Sequence, residues 1–343
     1  MVARTAGARI AGVVACVPPR KVDNDYFVER FGDKVQDVVK MTGVQTRHWV
    51  ENGVTTSDLC ERAANHLLDR LGWERESLDG IIFVSQTPDF RLPATACSLQ
   101  DRLGLRAGTI AFDVSLGCSG YIYGLWLAMM MIQTGAARRL LLAVGDTSSI
   151  MNDPNDRSTA LLFGDAGTAT VVEASDDPSD EAVFIVGTDG AGAENLIVPK
   201  GAFRGCAGHP KFADFASDTL YMDGGEIFNF TLGAVPKLIA ATLEVAGKSV
   251  NEHDAFLLHQ ANAFMIKHLA KKAKLPPEKV PVNIDRYGNT SSATLPLLLG
   301  DDAAERLEKE RLKVALFGFG VGYSWSSAAL SIGPLGCADT VVL

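Results

Sequence analysis

A cysteine stands between small turn residues in the stretch DVSLGCSGYIYGL, residues 113–125. Gly117 precedes Cys118 and Ser119–Gly120 follow it, where an apolar strand pattern gives way to an apolar helix pattern. A helix that begins here directs its first free N–H groups at the thiol, and its positive end favours the thiolate. The same small residues also suit a crowded turn. This stretch alone therefore leaves a nucleophile and a packing cysteine equally open.

A histidine and an asparagine occupy comparable places further along the chain. His259 lies at the end of an apolar strand in LLHQAN, and Asn289 lies in the turn-forming stretch DRYGNTSSA. Each residue taken alone also suits the capping of a helix. A neutral amide such as Asn289 can, however, donate a hydrogen bond to a developing enolate oxygen without adding a formal charge.

Cysteine, histidine and asparagine together indicate two different enzyme classes. In a cysteine protease, asparagine orients the imidazole that pairs with the thiol, but the papain-type CG[SA]C[WY] signature is missing. In a thioester condensing enzyme, the cysteine takes an acyl group while histidine and asparagine bind a second thioester carbonyl. The glycine-rich stretch GFGVGYS, residues 318–324, precedes a strand pattern rather than a helix, which argues against dinucleotide binding. It predicts a backbone loop that approaches a ligand closely.

The elements that must position these residues alternate between strands and helices. Apolar, β-branched runs predict strands at 9–16, 80–85, 109–114, 139–145, 167–173, 183–187, 254–258, 280–284, 312–317 and 327–332. Longer mixed segments predict helices at 55–72, 94–104, 119–134, 222–247, 261–274 and 291–309. This alternation is typical of an α/β fold with a largely parallel sheet. Ligands bind beyond the carboxyl ends of such strands, where Cys118, His259 and Asn289 are all expected.

The order of the elements repeats, which indicates an internal duplication. The acidic, turn-rich segment ASDDPSDEA, residues 174–182, divides the chain nearly in half. We predict two similar α/β halves, residues 1–178 with the cysteine and residues 179–343 with the histidine and asparagine.

Composition excludes several classes of function. A formal net charge of −9 argues against a nucleic-acid partner, and no apolar run is long enough to cross a bilayer. The six cysteines form no CxxC pair and have no histidine at zinc-ligand spacing, so we expect reduced thiols and no metal site. The short apolar run near the N-terminus is more typical of a first strand than of a signal peptide, which favours the cytoplasm.

The chain resembles β-ketoacyl-acyl-carrier-protein synthase III and its relatives in the thiolase superfamily over nearly its full length. The resemblance rests on ordered motifs: TGVQTRHWV (42–50), DVSLGCSGYIYGL (113–125), NDPNDRSTALLFGDAGTATVV (152–172), YMDGGEIFNF (221–230), LLHQAN (257–262), DRYGNTSSATLPLLL (285–299) and GFGVGYSW (318–325). It implies the thiolase fold, with two duplicated α/β halves forming a layered αβαβα sandwich. It also implies a homodimer.

The resemblance implies roles for individual residues. Cys118 is expected to be the acylated nucleophile, with His259 and Asn289 hydrogen-bonding the carbonyl of a malonyl thioester. Backbone N–H groups of Cys118 and of the loop Gly320, Val321 and Gly322 are expected to form the oxyanion hole. Decarboxylation then gives an enolate that attacks the acyl-enzyme. Acyl-coenzyme A or acyl-carrier-protein thioesters are the expected substrates, and no metal or redox cofactor is required.

The sequence departs from the family pattern at the expected coenzyme A contacts. Asp37 and Met41 stand where a Trp and an Arg are usual, and Phe264 stands where an Arg is usual, whereas Arg157 is retained. These departures leave room for carrier-bound donors and favour a specialised relative over the initiator of fatty-acid synthesis.

Other positions near the expected tunnel concern the acyl chain and the carrier. Val321 replaces a glycine and is expected to narrow the pocket, and Leu92 stands where a Phe often gates the acyl pocket of the partner subunit. Lys267, Lys271 and Lys272 follow the active-site histidine on one predicted helix, either as a docking face for an acidic carrier protein or as a solvated helix face.

Two further functions stay open on the same scaffold. One is an acyltransferase that moves an acyl group from a thioester to an amine or hydroxyl acceptor without condensation. Asn289 argues mildly against it, because such a transfer needs no enolate stabiliser. The other is a non-catalytic subunit of a condensing heterodimer, which the intact cysteine, histidine and asparagine disfavour.

Overall fold

The computed structural model describes residues 1–213 and 218–343. Within these ranges the strands are β1 (Val2–Ala6), β2 (Ala8–Val17), β3 (Lys21–Asp23), β4 (Thr46–His48), β5 (Gly80–Val84), β6 (Ile110–Val114), β7 (Arg139–Thr147), β8 (Asp165–Ala174), β9 (Glu181–Thr188), β10 (Leu196–Ile197), β11 (Tyr221–Met222), β12 (Ala255–Leu258), β13 (Leu312–Gly320), β14 (Ser324–Ile332) and β15 (Cys337–Val342). The α-helices are α1 (Val28–Phe31), α2 (Lys34–Thr42), α3 (Thr56–Leu71), α4 (Thr95–Arg102), α5 (Gly120–Gln133), α6 (Arg157–Ala160), α7 (Gly224–Ala246), α8 (Ala263–Lys272), α9 (Ile284–Tyr287), α10 (Thr294–Gly300) and α11 (Ala304–Lys309).

Two large sheets carry the fold. The first sheet has the order β15-β2-β8-β7-β5-β6, and the second has the order β1-β9-β14-β13-β12. The prediction of largely parallel sheets is wrong, because both sheets are mixed. β5 pairs in parallel with β6 and β7, whereas β7–β8 and β13–β14 are antiparallel. Only residues 321–323 separate β13 from β14, and a connection that short permits only antiparallel pairing.

Each sheet takes an outer strand from the opposite end of the chain. The N-terminal β1 pairs with β9 in the second sheet, and the C-terminal β15 pairs with β2 in the first sheet. The N-terminal strand therefore pairs with the C-terminal half of the chain, and the C-terminal strand pairs with the N-terminal half. The division of the chain near residue 178 stays a prediction.

Helix α5 lies buried between the two sheets. It is apolar on all sides, which is typical of a helix without a solvent face. Its buried side chains share one core with Leu142 of the first sheet and Leu316 of the second, and α10 joins the same core through Leu298. Helices α3 and α4 pack on the outer face of the first sheet, and α7 and α8 on that of the second. The five layers confirm the predicted αβαβα sandwich.

Two predicted elements are wrong in the region that carries Asn289. Residues 280–283 form a loop that leads into α9, since Pro281 lacks the N–H group that a central strand needs. The predicted helix 291–309 is broken at Asp301, whose backbone is not helical (φ −122°, ψ −83°). Asn289 therefore lies in a loop between two short helices rather than beyond a strand.

Two global features complete the description. Across residues 1–213 and 218–343, no helix combines the length and the apolar character that crossing a bilayer requires. All six cysteines are free thiols in the structure.

Candidate active site

Cys118, His259 and Asn289 line the same cavity, which has a volume of about 930 Å³. Cys118 lies in the turn between β6 and α5, and His259 directly follows β12. Asn289 comes from the loop between α9 and α10. Each of the three is at most 5% exposed, so any reaction between them takes place away from bulk water.

The glycine-rich end of β13 closes over the sulfur of Cys118. A Cβ at Gly320 would lie 2.8 Å from Cβ of Cys118 and 2.9 Å from its Sγ, so only glycine fits here without displacement. The backbone N–H groups of Val321 and of Cys118 itself face the thiol. Two backbone donors directed at one point are the arrangement that an oxyanion hole needs.

Burial raises the pKa of the Cys118 thiol from 9.0 to about 11. A hydrogen bond from Ser291 and the two backbone N–H groups act in the opposite direction, but burial outweighs them. The backbone N–H groups at the helix end thus favour the thiolate as expected, but they do not bring the pKa below that of a free thiol. The apolar α5 shields the sulfur from water, and this desolvation exceeds the stabilisation by the backbone donors.

Ser291 is a neighbour of Cys118 that the sequence analysis did not single out. Its Oγ lies 3.9 Å from Sγ of Cys118. Its backbone has a positive φ of 52°, which is uncommon for a serine and is often found at functional sites. Among the described residues, no imidazole or carboxylate forms a hydrogen bond with Sγ.

Asp146 is a buried carboxylate on the wall of the same cavity. It accepts hydrogen bonds from the Gln86 N–H at 2.7 Å and from the Ser292 hydroxyl at 2.7 Å. Burial raises its pKa, and its negative charge adds to the rise in the Cys118 pKa. Asp146 thus joins the ends of β5 and β7 to the loop that carries Asn289.

His259 is held as a neutral imidazole. Burial lowers the pKa of its ring from 6.5 to about 3. Nδ1 lies 2.8 Å from Oγ1 of Thr294, and the backbone N–H of His259 donates to the Phe317 carbonyl at 2.8 Å. In the described part of the chain no protein group bonds Nε2, and the residue lines the cavity. Nε2 is therefore the ring atom available to a ligand.

Backbone and side-chain bonds orient the amide of Asn289. Its Oδ1 accepts the N–H of Ser291 at 2.9 Å, so the amide NH₂ is the group left for the cavity. Its backbone N–H donates to the Leu162 carbonyl at 2.9 Å, and its carbonyl accepts the Gly164 N–H at 3.1 Å. The residue is fixed at both its backbone and its side chain.

A buried arginine supports the segment against which Asn289 pairs. The guanidinium of Arg47, from the motif TGVQTRHWV, donates to the Leu161 carbonyl at 2.6 Å and to Oδ1 of Asn24 at 2.9 Å. The carbonyl oxygens of Tyr287 and Leu162 leave no room for a Cβ at Gly164 and Gly288, and Cβ of Arg47 lies 3.2 Å from both positions. The motif contributes to the site through this support and through Thr42, which lines the cavity.

The remaining lining of the cavity is largely apolar. Met41 and Phe264 are 56% and 53% exposed and line the cavity together with Asp37 and Lys40. Arg157, which also lines the cavity, forms no ion pair within residues 1–213 and 218–343. Asp37, Met41 and Phe264 thus line the same cavity as Cys118, and their relation to coenzyme A stays a prediction.

The remaining predicted site residues differ in whether they line this cavity. Gly320 and Val321 line it, but Gly322 does not. Leu92 is 78% exposed, on the segment that precedes α4. Lys267, Lys271 and Lys272 are exposed on α8 beyond Phe264. Lys267 and Lys271 are four residues apart and share one helix surface, whereas Lys272 points elsewhere and donates to the Leu232 carbonyl at 3.0 Å. Their roles stay predictions.

Two family profiles match the chain. The profile of 3-oxoacyl-[acyl-carrier-protein] synthase III matches residues 112–190, and that of the C-terminal part of the same enzyme matches residues 243–332. The first match includes Cys118, and the second includes His259 and Asn289.

Individual relatives cover almost the whole chain. A crystal structure of a 3-oxoacyl-(acyl-carrier protein) synthase from Burkholderia xenovorans LB400 is 58% identical, with a TM-score of 0.97, over 100% of this chain and 99% of that one. A β-ketoacyl-[acyl-carrier-protein] synthase III of Streptomyces coelicolor is 36% identical over 95% of this chain and 94% of that protein. The priming β-ketosynthase of the R1128 polyketide pathway is 26% identical, with a TM-score of 0.82, over 96% of both chains. The chain belongs to the 3-oxoacyl-[acyl-carrier-protein] synthase III family of thiolase-fold condensing enzymes.

Proposed function

We propose that the protein is an acyltransferase that joins an acyl group carried on Cys118 to a malonyl thioester, with loss of carbon dioxide. The observation that carries this proposal is the meeting of three groups in one cavity: a buried thiol facing two backbone N–H donors, a neutral imidazole and an oriented amide. The first group suits acyl transfer, and the other two suit stabilisation of an enolate.

Acylation of Cys118 is the first stage. The sulfur attacks the carbonyl carbon of an acyl thioester, and the carrier thiol leaves with the proton that Cys118 gives up. The N–H groups of Cys118 and Val321 hold the oxyanion of the tetrahedral intermediate. Because the thiol is protonated at neutral pH, its negative charge develops only as the S–C bond forms.

Condensation is the second stage. The amide NH₂ of Asn289 and Nε2–H of His259 donate hydrogen bonds to the thioester oxygen of the malonyl group. The carboxylate leaves as carbon dioxide, and its bonding electrons form the enolate that attacks the acyl-enzyme carbon. Cys118 leaves as a thiolate and takes up one proton. Neutral donors suit this step, since they stabilise the enolate without forming an ion pair with the malonyl carboxylate.

Intact-mass spectrometry tests this proposal directly. The protein is incubated with an acyl thioester, which is expected to add one acyl mass to the wild type and none to Cys118→Ala. Adding a malonyl thioester is expected to remove the adduct, release carbon dioxide and form a β-ketoacyl product. Discharge by an amine or an alcohol instead, without carbon dioxide, would assign simple acyl transfer.

We propose that the preferred acyl donor is bound to a carrier protein rather than to coenzyme A. The phosphates of coenzyme A require several cations. Arg157 and Lys40 are exposed cations at this cavity, but Met41, Phe264 and Asp37 occupy other exposed positions and add no positive charge. Nζ of Lys40 lies 4.0 Å from Oδ1 of Asp37, so the negative charge of Asp37 partly offsets the positive charge of Lys40. The lysines of α8 beyond Phe264 supply positive charge where an acidic carrier would rest.

We further propose that the protein acts as a cytoplasmic homodimer through the free edge of the first sheet. β6 is apolar in four of its five positions, yet Ile110 is exposed and its other residues are only half-buried. Leu92 and Phe90 are exposed on the segment beside the neighbouring α4. Pairing of two copies covers these side chains and brings Leu92 to the acyl pocket of the partner subunit. The six free cysteines suit a reducing compartment.

A further inference from the structure

The imidazole of His259 can donate a hydrogen bond from Nε2 only in one of its two neutral forms. A neutral ring carries a single N–H, so either Nδ1 or Nε2 is protonated. The group that bonds Nδ1 therefore decides what Nε2 offers to the cavity. In this protein that group is the hydroxyl of Thr294, 2.8 Å from Nδ1.

The Thr294 hydroxyl has one proton and two neighbouring acceptors. The first is Nδ1 of His259, and the second is the carbonyl of Ser291, 3.1 Å away. Hydroxyl–oxygen hydrogen bonds are usually between about 2.5 and 3.0 Å long, so the second contact is long for such a bond. The Ser291 carbonyl also already accepts the backbone N–H of Thr294. The shorter contact and the occupied carbonyl therefore favour donation of the hydroxyl proton to Nδ1.

We propose that Thr294 is a positioning residue that donates to Nδ1 of His259 and so holds the ring as the Nε2–H form. In this form the ring presents an N–H to the thioester oxygen of the malonyl substrate. In the opposite form Nε2 would present a lone pair, which repels that oxygen. The inference rests on the role of His259 in the proposed function.

The placement of Thr294 supports this role. It is the first residue of α10 and is 1% exposed, so water does not compete for its hydroxyl. Its neighbour Thr290 is equally buried, but the hydroxyl of Thr290 has no partner in the described structure. The loop thus holds two buried threonine hydroxyls. The Thr294 hydroxyl lies beside the imidazole, and the Thr290 hydroxyl does not bond it.

The test uses three variants of the full-length protein. Thr294→Val removes the hydroxyl with little change of shape, and Thr294→Ser retains it. Thr290→Val is the matched control, because it makes the same change at the unpartnered hydroxyl. Acylation of Cys118 and its discharge by a malonyl thioester are measured separately, and ¹⁵N NMR of histidine-labelled protein reports the protonation of both ring nitrogens of His259.

Thr294→Val is expected to slow the discharge on the order of tenfold to hundredfold while changing acylation little. Thr294→Ser and Thr290→Val are expected to behave like the wild type. The wild-type spectrum is expected to show Nδ1 as an unprotonated acceptor, and its resonance should move in Thr294→Val. A protonated Nδ1 in the wild type, or equal effects of Thr294→Val and Thr290→Val, would overturn the proposal. Failure of the wild type to discharge at all would instead refute the proposed function, and the spectra would still test Thr294.

Discussion

At the scale of single residues, Cys118 shows how opposing contributions decide the state of a nucleophile. Burial beneath α5 raises its pKa, and the Ser291 hydroxyl and two backbone N–H groups lower it. Because burial is the largest contribution, the thiol stays protonated at neutral pH. In the proposed reaction the two backbone N–H groups act again, because we expect them to hold the negative charge of the attacked carbonyl.

Replacing Ser291 by alanine tests how much its hydroxyl lowers the pKa of the Cys118 thiol. The rate of alkylation of Cys118 by iodoacetamide is expected to rise about tenfold per pH unit towards a pKa of about 11, because only the thiolate reacts. In Ser291→Ala the thiolate loses a donor, so its pKa rises further and alkylation at pH 8 is expected to slow on the order of tenfold. Peptide mass spectrometry identifies the alkylated cysteine.

Ser292→Ala is the control for this measurement. The Ser292 hydroxyl donates to Asp146 at 2.7 Å, and no hydrogen bond joins it to the thiol. Its removal disfavours the negative charge of Asp146, so alkylation of Cys118 should stay the same or become faster. Equal slowing in both serine variants would show that Ser291 does not act on the sulfur.

Gly320→Ala tests the close approach of the backbone to the sulfur. The added methyl group would lie 2.9 Å from Sγ of Cys118, which forces the loop or the thiol to move. We expect acylation to fall by about a hundredfold or more, because the displaced loop no longer directs the Val321 N–H at the oxyanion. Gly190→Ala is the control, since nothing lies within 4 Å of the Cβ that it adds. Full acylation of Gly320→Ala would argue against an oxyanion hole in this loop.

At the scale of elements, one short segment organises the whole site. Residues 289–294 supply Asn289 itself, the Ser291 hydroxyl beside Cys118, the Ser292 donor to Asp146 and the Thr294 hydroxyl beside His259. These side chains fit together because the segment is a tight turn with a positive φ at Ser291, followed by the first residue of α10.

The sequence predicted the main elements better than it predicted this segment. Runs such as DGIIFVS have an apolar centre, IIFV, that is mostly β-branched, which favours a buried strand. Ser291 and Thr294 were missed because a hydroxyl side chain caps, packs and bonds equally well, and only the tertiary fold selects its partner. The thiol pKa was misjudged because the helix end was visible in the sequence, whereas the extent of burial was not.

We expect the exposed cavity lining on α2 and α8 to set the donor class. The double variant Met41→Arg with Phe264→Arg places two cations where the chain has apolar side chains, and is expected to raise acylation by acyl-coenzyme A severalfold or more through phosphate pairing. Acylation by a carrier-bound donor should change less. Acylation rates from both donors at several salt concentrations check this.

Met41→Gln with Phe264→Gln is the control for this variant, because it changes polarity without adding charge. This variant should leave the rate of acylation by acyl-coenzyme A unchanged. Rapid acylation of the wild type by coenzyme A thioesters, with no gain in the arginine variant, would contradict the proposed donor preference.

At the scale of the whole molecule, the two edges of the first sheet differ in character. The β15 edge carries the last strand of the chain, and the β6 edge presents Ile110 and a half-buried apolar strand. A free apolar edge is an association surface unless something covers it. The β6 edge is therefore the one that we expect to pair with a second copy.

Ile110→Lys tests pairing through β6. Analytical ultracentrifugation is expected to show a dimer for the wild type and dissociation for the variant, because pairing of the edge would bury a lysine charge in each copy. Val342→Lys makes a comparable change at the β15 edge, where Val342 is also exposed, and should leave the dimer intact. A monomeric wild type, or an intact dimer in Ile110→Lys, would contradict this arrangement.

We propose that Cys118 carries the acyl group and that Asn289 acts only in the condensation stage, and one experiment separates these two roles. Asn289→Ala is loaded with an acyl thioester, and the mass of the protein is followed before and after addition of a malonyl thioester. The variant is expected to take up the acyl group as the wild type does, because the proposed first stage uses the N–H groups of Cys118 and Val321 rather than Asn289. It should then keep the adduct and release little carbon dioxide, since the enolate has lost its amide donor. Discharge of the adduct at the wild-type rate would contradict the account.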